Sequence, residues 1–277
     1  MTLPTSPTGP ARATAGAARR PVTEKGPRNL LEQGLLLAGR NVRLASVADT
    51  VSTMVVFPVI FVFGFLAIFG NLLAARGVDY AQFLPPAIVV QWMFSVAISA
   101  AFFFATDRRT GMLARYRAMA INRGAVVVGR MAADSLRALL AIAVILAAGH
   151  VAGFRFQAGP FAALGFVALA VGFALTLSAG TSAVGLTARD PEAVSSTLHT
   201  VYLPLLMVSS AFVPADAFPA WIEPFVRAQP VTAVIDALRA LADGGPIAGP
   251  LTRAVLWMAG LLALFSLAAV RAFRRAT

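Results

Sequence analysis

The apolar run LPPAIVVQWMFSVAISAAFFFA, from Leu84 to Ala105, decides the fold of this chain. It contains no charged side chain. An α-helix rises about 1.5 Å per residue, so about 20 apolar residues match the ~30 Å hydrocarbon core of a bilayer. The run therefore predicts a helix that crosses a membrane.

Five more stretches are long and predominantly apolar. They are roughly Val51–Leu73, Met131–Val151, Phe161–Leu186, Thr197–Val213 and Leu251–Val270. Hydrophobic residues make up 58% of the 277 residues and charged residues only 13%, which is more apolar than a single soluble core requires. The sequence therefore predicts an all-α integral membrane protein with six transmembrane helices within residues 46–277.

The basic residues indicate how these spans are oriented. Six spans leave both termini on one side, and that side receives 18 of the 23 lysines and arginines. The positive-inside rule then predicts cytoplasmic termini in a multi-pass protein of the plasma membrane. Because cytoplasmic loops account for the formal charge of +11, we expect no nucleic-acid partner. The dominance of arginine and the heavy use of alanine suggest a GC-rich bacterial genome.

The segment before the first span divides into two parts. Residues 1–28 contain five prolines among Ala, Thr and Arg, which predicts a disordered cytoplasmic tail. Residues 29–45 place Leu30, Leu31 and Leu35 among polar side chains such as Glu32 and Gln33. This pattern predicts an amphipathic helix in the plane of the lipid headgroups. A cytoplasmic extension of the first span fits the same pattern.

The connection between the second and third spans is more specific than a plain loop. It reads DRRTGMLARYRAMAINRGAVVVGR, from Asp107 to Arg130. A helix from about Met112 to Ile121 places the apolar side chains on one face, away from the arginines. Such a helix rests in the lipid interface or docks in the groove of a partner, and the residues alone favour lipid.

The outer connection, from Pro214 to Pro250, has a second unusual pattern. Several prolines precede the apolar run Val231–Leu241, in which Asp236 and Arg239 are spaced to pair on one helix. Trp221 and Phe225 suit the aromatic belt of a membrane interface. The run is too short to span the bilayer, so we expect a helix that dips in and returns or that lies at the outer boundary. A solvated loop with a surface ion pair is the alternative.

Four stretches of the chain resemble a known family. They are Asp107 with Thr110-Gly111, Arg115, Arg117 and Gly129-Arg130; Arg189-Asp190-Pro191-Glu192-Ala193; Ser209-Ser210-Ala211-Phe212-Val213-Pro214 with Pro219 and Trp221; and Gln229-Pro230-Val231-Thr232 with Asp236-Ala237-Leu238-Arg239-Ala240-Leu241. In this order, and between these spans, they are similar to the membrane subunit of type-2 ABC exporters, in particular the daunorubicin-resistance-like permeases. The resemblance covers roughly Leu30 to the C-terminus.

The resemblance implies a partner that hydrolyses ATP. In that family the inner connection forms a coupling helix on a separately encoded ATPase, which reverses the preference for lipid stated above. Residues 111–121 take that role here, although Ala120 stands where relatives usually have proline. The implied coupling residues are Asp107, Gly111, Leu113, Arg115, Tyr116, Arg117 and Met119. The outer re-entrant segment, about residues 214–250, supplies a separate set of candidate residues, Trp221, Pro230, Asp236 and Arg239.

The sequence contains no recognisable motif for binding and hydrolysing ATP. The single lysine, Lys25, lies in the N-terminal tail and is followed by Gly26, so no phosphate-binding Walker A loop is present. We therefore expect no enzymatic activity and no bound cofactor, with ATP and magnesium on two copies of the ATPase partner. A proton relay needs a buried ionisable residue, but an ion-pair ladder of Arg130, Asp134 and Arg137 explains that aspartate better.

Two further histidine-based alternatives are weak. His150 and His199 are far apart and there is no cysteine, so a metal cluster is not expected. Ser178 with His199 loosely resembles a membrane serine protease, but the Gly-x-Ser-x-Gly elbow is missing.

These features favour a permease subunit of an ATP-driven exporter for an amphipathic drug, natural product or lipid-like substrate, which pairs with a second permease copy among membrane lipids. The resemblance suggests a pathway along the second and fifth spans. Its candidate residues are Gln91, Trp92, Phe94, Ser95, Tyr202, Met207 and Ser209. A polysaccharide-exporting permease and a non-transport assembly component are the alternatives.

Overall fold

Every regular element in the described part of the chain is a helix. The computed structural model describes residues 55–112, 123–188 and 190–275. In chain order the helices are α1 (Phe57–Ala74), α2 (Tyr80–Arg109), α3 (Arg123–Ala152), α4 (Pro160–Thr187), α5 (Pro191–Met207), α6 (Glu223–Ala228), α7 (Pro230–Asp243) and α8 (Ala248–Arg275). A short 3-10 turn, Ala215–Ala217, precedes α6.

The long helix α2 is the centre of the bundle. It packs against α1, α3, α4, α5 and α7, and 72% of its most apolar window is buried, against 6% for α8. The tightest approach is to α4, because a Cβ atom on Gly185 would lie 2.4 Å from the backbone oxygen of Ala101. The hydroxyl of Thr181 adds a hydrogen bond of 2.6 Å to the carbonyl oxygen of Ala97. The peripheral helices turn their apolar faces outward, as a lipid environment requires.

Within the described residues, five helices are long and apolar enough to cross a membrane. They are α1, α2, residues Val128–Ala152 of α3, α4, and residues Ala248–Leu267 of α8. These five correspond to the first, second, third, fourth and sixth predicted spans, so an all-helical integral membrane protein is confirmed. The predicted tail (1–28), the predicted amphipathic helix (29–45) and most of the predicted coupling helix (113–121) lie outside the described residues.

The fifth predicted span, Thr197–Val213, has different bounds in the structure. The helix α5 begins six residues earlier, because the carboxylate of Asp190 accepts the amide N–H of Glu192 at 3.1 Å and Pro191 suits the first helical position. It ends at Met207, and its 17 residues rise only about 25 Å. The apolar residues that follow form a turn instead of a further helical turn.

The two ends of the bundle are distinguished by their loops. At one end, called here the Arg108 end, α2 and α4 finish close together. At the other, called the Pro214 end, Pro214 and Asp216 lie beside Leu73 and Arg76 at the end of α1. Helix α5 starts at the Arg108 end and runs towards the Pro214 end.

The helices α6 and α7 form a hairpin that enters the bundle from the Pro214 end. Helix α7 starts deep, because Pro230 lies beside the same groove as Phe94 of α2. It ends near the surface of the bundle, where the carboxylate of Asp243 accepts the side-chain amide of Gln82 at 2.7 Å. Phe94 is about 18 Å along α2 from Gln82. Helix α7 therefore returns from the interior, packed on α2, α4 and α8.

Candidate functional site

The turn that follows α5 and the helix α7 form one polar network inside the protein. Thr232 accepts the backbone N–H of Ser210 at 3.1 Å, and the hydroxyl of Ser210 donates to Asp236 at 3.1 Å. The side-chain amide of Gln229 donates to the carbonyl oxygen of Val208 at the end of α5. These bonds satisfy backbone groups that have left the helix, which is required in a dry interior.

Arg239 holds the centre of this network. Its Nε donates to the carbonyl oxygen of Phe83 at 3.1 Å and its Nη2 to that of Ala211 at 3.0 Å. The guanidinium also lies over the ring of Phe83, with 3.4 Å to the centroid. The predicted pair with Asp236 is present at 3.8 Å.

The other residues singled out in the outer segment lie in different surroundings. Pro230 is the first residue of α7 and lines the interior groove. Trp221, in contrast, lies just before α6 and is 80% exposed. Phe225, within α6, is also exposed. The structure therefore separates this set into a buried network and an exposed aromatic pair.

The candidate pathway residues also divide. Phe94 stacks on Tyr202 with 5.2 Å between ring centroids, and Gln91 is hydrogen-bonded to Tyr202. These three side chains form one cluster between α2 and α5. The remaining four do not join it: Trp92 meets Phe61 of α1, Ser95 accepts a hydrogen bond from Ser99 through its carbonyl oxygen, Met207 is exposed, and Ser209 is buried in the turn after α5.

An apolar groove of about 270 Å³ lies next to this cluster. Phe94 and Tyr202 form one wall, and the tip of α7 closes one end at Pro230. The other lining residues come from α2, α4, α5, α7 and α8 and are Ile98, Phe173, Leu177, Gly180, Thr181, Val184, Leu198, Val201, Leu205, Val231, Leu261 and Phe265. The groove thus offers aromatic and aliphatic surface, while the buried Oε1 of Gln91 has no hydrogen-bond partner among the described residues.

A buried charge cluster occupies the Arg108 end. Arg130 of α3 pairs with Asp107 of α2 at 3.2 Å, and its guanidinium lies 4.2 Å from the centroid of Phe104. Asp134 pairs with Arg137 at 3.0 Å. The predicted Arg–Asp–Arg ladder is therefore only half right, because Arg130 reaches across to α2 instead of along its own helix.

The predicted coupling residues are only partly described. Asp107 is in the ion pair with Arg130, and Gly111 follows α2 in a turn with φ of +68°, a conformation that favours glycine. Leu113, Arg115, Tyr116, Arg117 and Met119 lie outside the described residues.

Two residues at the sites, Arg108 and Phe173, were not among the candidates predicted from the sequence. Arg108 donates from Nη1 to the carbonyl oxygens of Leu186 and Ala188 at 2.9 and 3.2 Å. Phe173 meets the ring of Phe94 edge to face, with centroids 5.7 Å apart. Their partners are far away in the sequence, so helical spacing gave no signal for them.

The histidines have local partners. Nδ1 of His199 lies 2.8 Å from the carbonyl oxygen of Ser195, one turn earlier in α5. His150 lies 3.1 Å from the guanidinium of Arg155. Within residues 55–112, 123–188 and 190–275, no group of three or more His, Asp or Glu side chains is arranged to hold a metal ion.

A bundle of apolar helices with buried polar networks near both ends is the architecture of a multi-pass membrane protein. Residues 32–242 match the family model described as ABC-2 type transporter. The chain belongs to this family and is a transmembrane permease of an ABC transporter.

Curated relatives agree with that assignment. A probable doxorubicin resistance ABC transporter permease of Mycobacterium tuberculosis is 29% identical over 264 residues, 94% of each chain. A daunorubicin resistance ABC transporter permease of Streptomyces coeruleorubidus is 29% identical over 221 residues, covering 80% of this chain and 78% of the relative. A second doxorubicin resistance permease of Mycobacterium tuberculosis is 28% identical over 200 residues, 69% of each. All three are named as permeases.

Proposed function

We propose that this chain exports an amphipathic, partly aromatic compound from a bacterial cell, using ATP hydrolysed by a separate subunit. The observation that carries the proposal is the aromatic cluster of Phe94 and Tyr202 beside an apolar groove. Apolar contact supplies affinity in such a site, and a few polar groups set orientation. The names of the drug-resistance relatives support the same class of cargo.

The apolar lining favours this cargo over a polysaccharide. A sugar chain presents hydroxyl groups that lose their hydrogen bonds to water on entering an apolar groove, and that loss is costly. Of the two hydroxyl-bearing side chains in the lining, Thr181 donates to a backbone oxygen and Tyr202 is bonded to Gln91. The groove therefore offers little to replace the hydration of a sugar.

In the proposed topology the chain crosses the bilayer six times, with both termini in the cytoplasm. Helix α5 and the turn after it lead from the Arg108 end towards the Pro214 end. They therefore provide the fifth crossing in chain order, which brings the number of crossings to six. The distribution of 18 basic residues on one side and 5 on the other supports placing the Arg108 end in the cytoplasm.

The α6–α7 hairpin is proposed to re-enter the outer half of the bilayer. Non-helical backbone at that depth is tolerated only where protein satisfies its polar groups. The bonds from Arg239, Gln229 and Thr232 to the turn after α5 supply that satisfaction. Exposed Trp221 and Phe225 suit the boundary between lipid and water.

The energy source is proposed to be two ATPase subunits bound to two permease copies, with ATP and magnesium held by the ATPases. Residues 111–121 form the coupling helix in this arrangement. Closure of the ATPases on nucleotide would shift these helices and change the packing of the spans, in an all-or-none manner. The aromatic cluster between α2 and α5 is placed to respond.

The experiment that tests this function uses the full chain and the ATPase encoded beside it. Co-expression should give a stable complex whose ATPase rate rises severalfold when this permease is present. A deletion strain should accumulate a fluorescent planar aromatic amphiphile, such as an anthracycline, about threefold or more above wild type. No stable complex, together with unchanged accumulation in the deletion strain, would overturn the proposal.

A further inference from the structure

Arg108, close to the C-terminal end of α2, caps a different helix. Its Nη1 donates to the carbonyl oxygens of Leu186 and Ala188, at 2.9 and 3.2 Å. The last carbonyl groups of a helix have no partner within it, and α4 ends at Thr187. The guanidinium therefore supplies hydrogen bonds, and a favourable charge at the helix terminus, that α4 does not supply itself.

This cap joins two connections at the Arg108 end of the bundle. On one side, Arg108 stands directly before the connection that contains the proposed coupling helix. On the other, only residues 188–190 separate α4 from α5, and Asp190 caps the first turn of α5. A shift of the last turn of α4 must therefore move the start of α5.

An ion pair also joins the two helices on either side of the connection that follows Arg108. The ion pair of Asp107 with Arg130, at 3.2 Å, ties the end of α2 to α3, so these two helix ends respond to the connection together. Above them, the close approach of Gly185 to Ala101 holds the bodies of α2 and α4 in contact. Arg108 acts beyond that contact, on the last turn of α4 and on Ala188 directly after it.

We propose that Arg108 is a positioning residue for transport, which passes displacement of the 110–122 connection to α5. Helix α5 presents Tyr202 to Phe94, so its movement changes the wall of the cargo groove. The proposal rests on the proposed function, since it assigns a route from the ATPase contact to the groove. Because the Arg108 side chain is exposed, its removal should disturb folding little.

The neighbouring residue provides a matched control. Arg109 is also exposed and carries the same charge, but the bonds to the end of α4 come from Arg108. Arg108→Ala should leave the ATPase bound but lower transport per ATP hydrolysed about tenfold, whereas Arg109→Ala should stay within twofold of wild type. Arg108→Lys keeps the charge but not the planar fork of donors, so it should recover only part of the loss. Equal transport in Arg108→Ala and Arg109→Ala would overturn the proposal.

A second measurement tests the link without any ATPase. The chain contains no cysteine, so Thr110→Cys and Ser196→Cys, at exposed positions, allow spin labels without background. The distance distribution between these labels should be narrow in the otherwise unchanged protein and in Arg109→Ala. Arg108→Ala should broaden it at least twofold. If no variant, including wild type, binds an ATPase, the proposed function fails, but an unchanged label distribution in Arg108→Ala still refutes the link itself.

Discussion

Nη2 of Arg239 donates to the carbonyl oxygen of Ala211 at 3.0 Å, which joins α7 to the turn that ends α5. The same guanidinium binds the carbonyl oxygen of Phe83 near the start of α2. One buried cation thus connects three segments that are distant in the sequence. A charge with this many backbone partners is costly to remove, because each partner loses its hydrogen bond at a largely buried position.

We expect Arg239→Ala to destabilise the protein by about 3–5 kcal/mol, as loss of one member of a buried charged network does. Arg227 is the control, since it also pairs with a carboxylate on its own helix, Glu223, at 2.7 Å, but is 55% exposed. Arg227→Ala should cost no more than about 1 kcal/mol. Thermal unfolding of both variants in the same detergent measures the difference, and equal midpoints would show that the network does not stabilise the α6–α7 hairpin.

The contact between α2 and α4 leads to a second prediction. Gly185→Ala would place a methyl group 2.4 Å from the backbone oxygen of Ala101, so the helices must separate. Overpacking of this kind costs about 1–3 kcal/mol and outweighs the gain of roughly 0.5–1 kcal/mol from replacing a helical glycine.

The matched substitution is Gly260→Ala in α8. A Cβ atom at Gly260 meets nothing within 4 Å, so only the gain in helix propensity remains. We expect a lower unfolding midpoint for Gly185→Ala and an unchanged or slightly higher one for Gly260→Ala. The reverse order would contradict the close α2–α4 packing.

Local patterns in the sequence were sufficient for much of the fold. Apolar runs such as Leu84–Ala105 located five helices long and apolar enough to cross a membrane, and the spacing of Asp236 and Arg239 predicted their ion pair. Both features can be read from residues that are close together in the sequence. Composition alone was misleading at Thr197–Val213, where hydropathy continues past Met207 but the helix does not.

Long-range partners were beyond the reach of the sequence. Arg130 was expected to pair with Asp134 four residues away, but it pairs with Asp107 on another helix. A guanidinium can reach carboxylates and carbonyl groups on any adjacent helix, so its partner depends on how the helices pack. The backbone acceptors of Arg108 and Arg239 carry no side-chain signature at all. The candidate site could therefore be located by motif, whereas its connections required the structure.

The aromatic cluster predicts a change in cargo preference. Tyr202→Leu removes the ring that stacks on Phe94, while Tyr202→Phe keeps the ring and removes only the hydroxyl bonded to Gln91. Loss of one aromatic contact, about 0.5–1.5 kcal/mol, corresponds to a two- to tenfold rise in the half-saturating concentration of an aromatic cargo.

Transport by inverted membrane vesicles of a planar aromatic amphiphile and of an aliphatic one checks this prediction. Tyr202→Leu should weaken only the aromatic cargo, and Leu203→Ala, an exposed neighbour on α5, should affect neither. Equal losses for both cargoes would indicate that Tyr202 packs the helices without contacting cargo.

The proposed coupling helix predicts a separation of assembly from insertion. Leu113→Asp together with Tyr116→Asp places two charges on the apolar face expected to bind the ATPase, and burying unpaired charges is costly. The double variant should insert into the membrane at wild-type levels. The amount of ATPase that co-purifies with it should fall at least tenfold. Retained assembly and transport would show that this helix does not form the contact.

Topology gives the most general prediction, because every functional assignment depends on which end of the bundle faces the cytoplasm. A reporter active only in the cytoplasm should be active when fused after Thr277 and inactive when inserted at Gly245, between α7 and α8. A reporter active only outside should give the opposite result at both sites. Five crossings instead of six would place one terminus outside, since an odd number separates them. External activity at Thr277 would therefore refute either the crossing through α5 or the cytoplasmic position of Arg108.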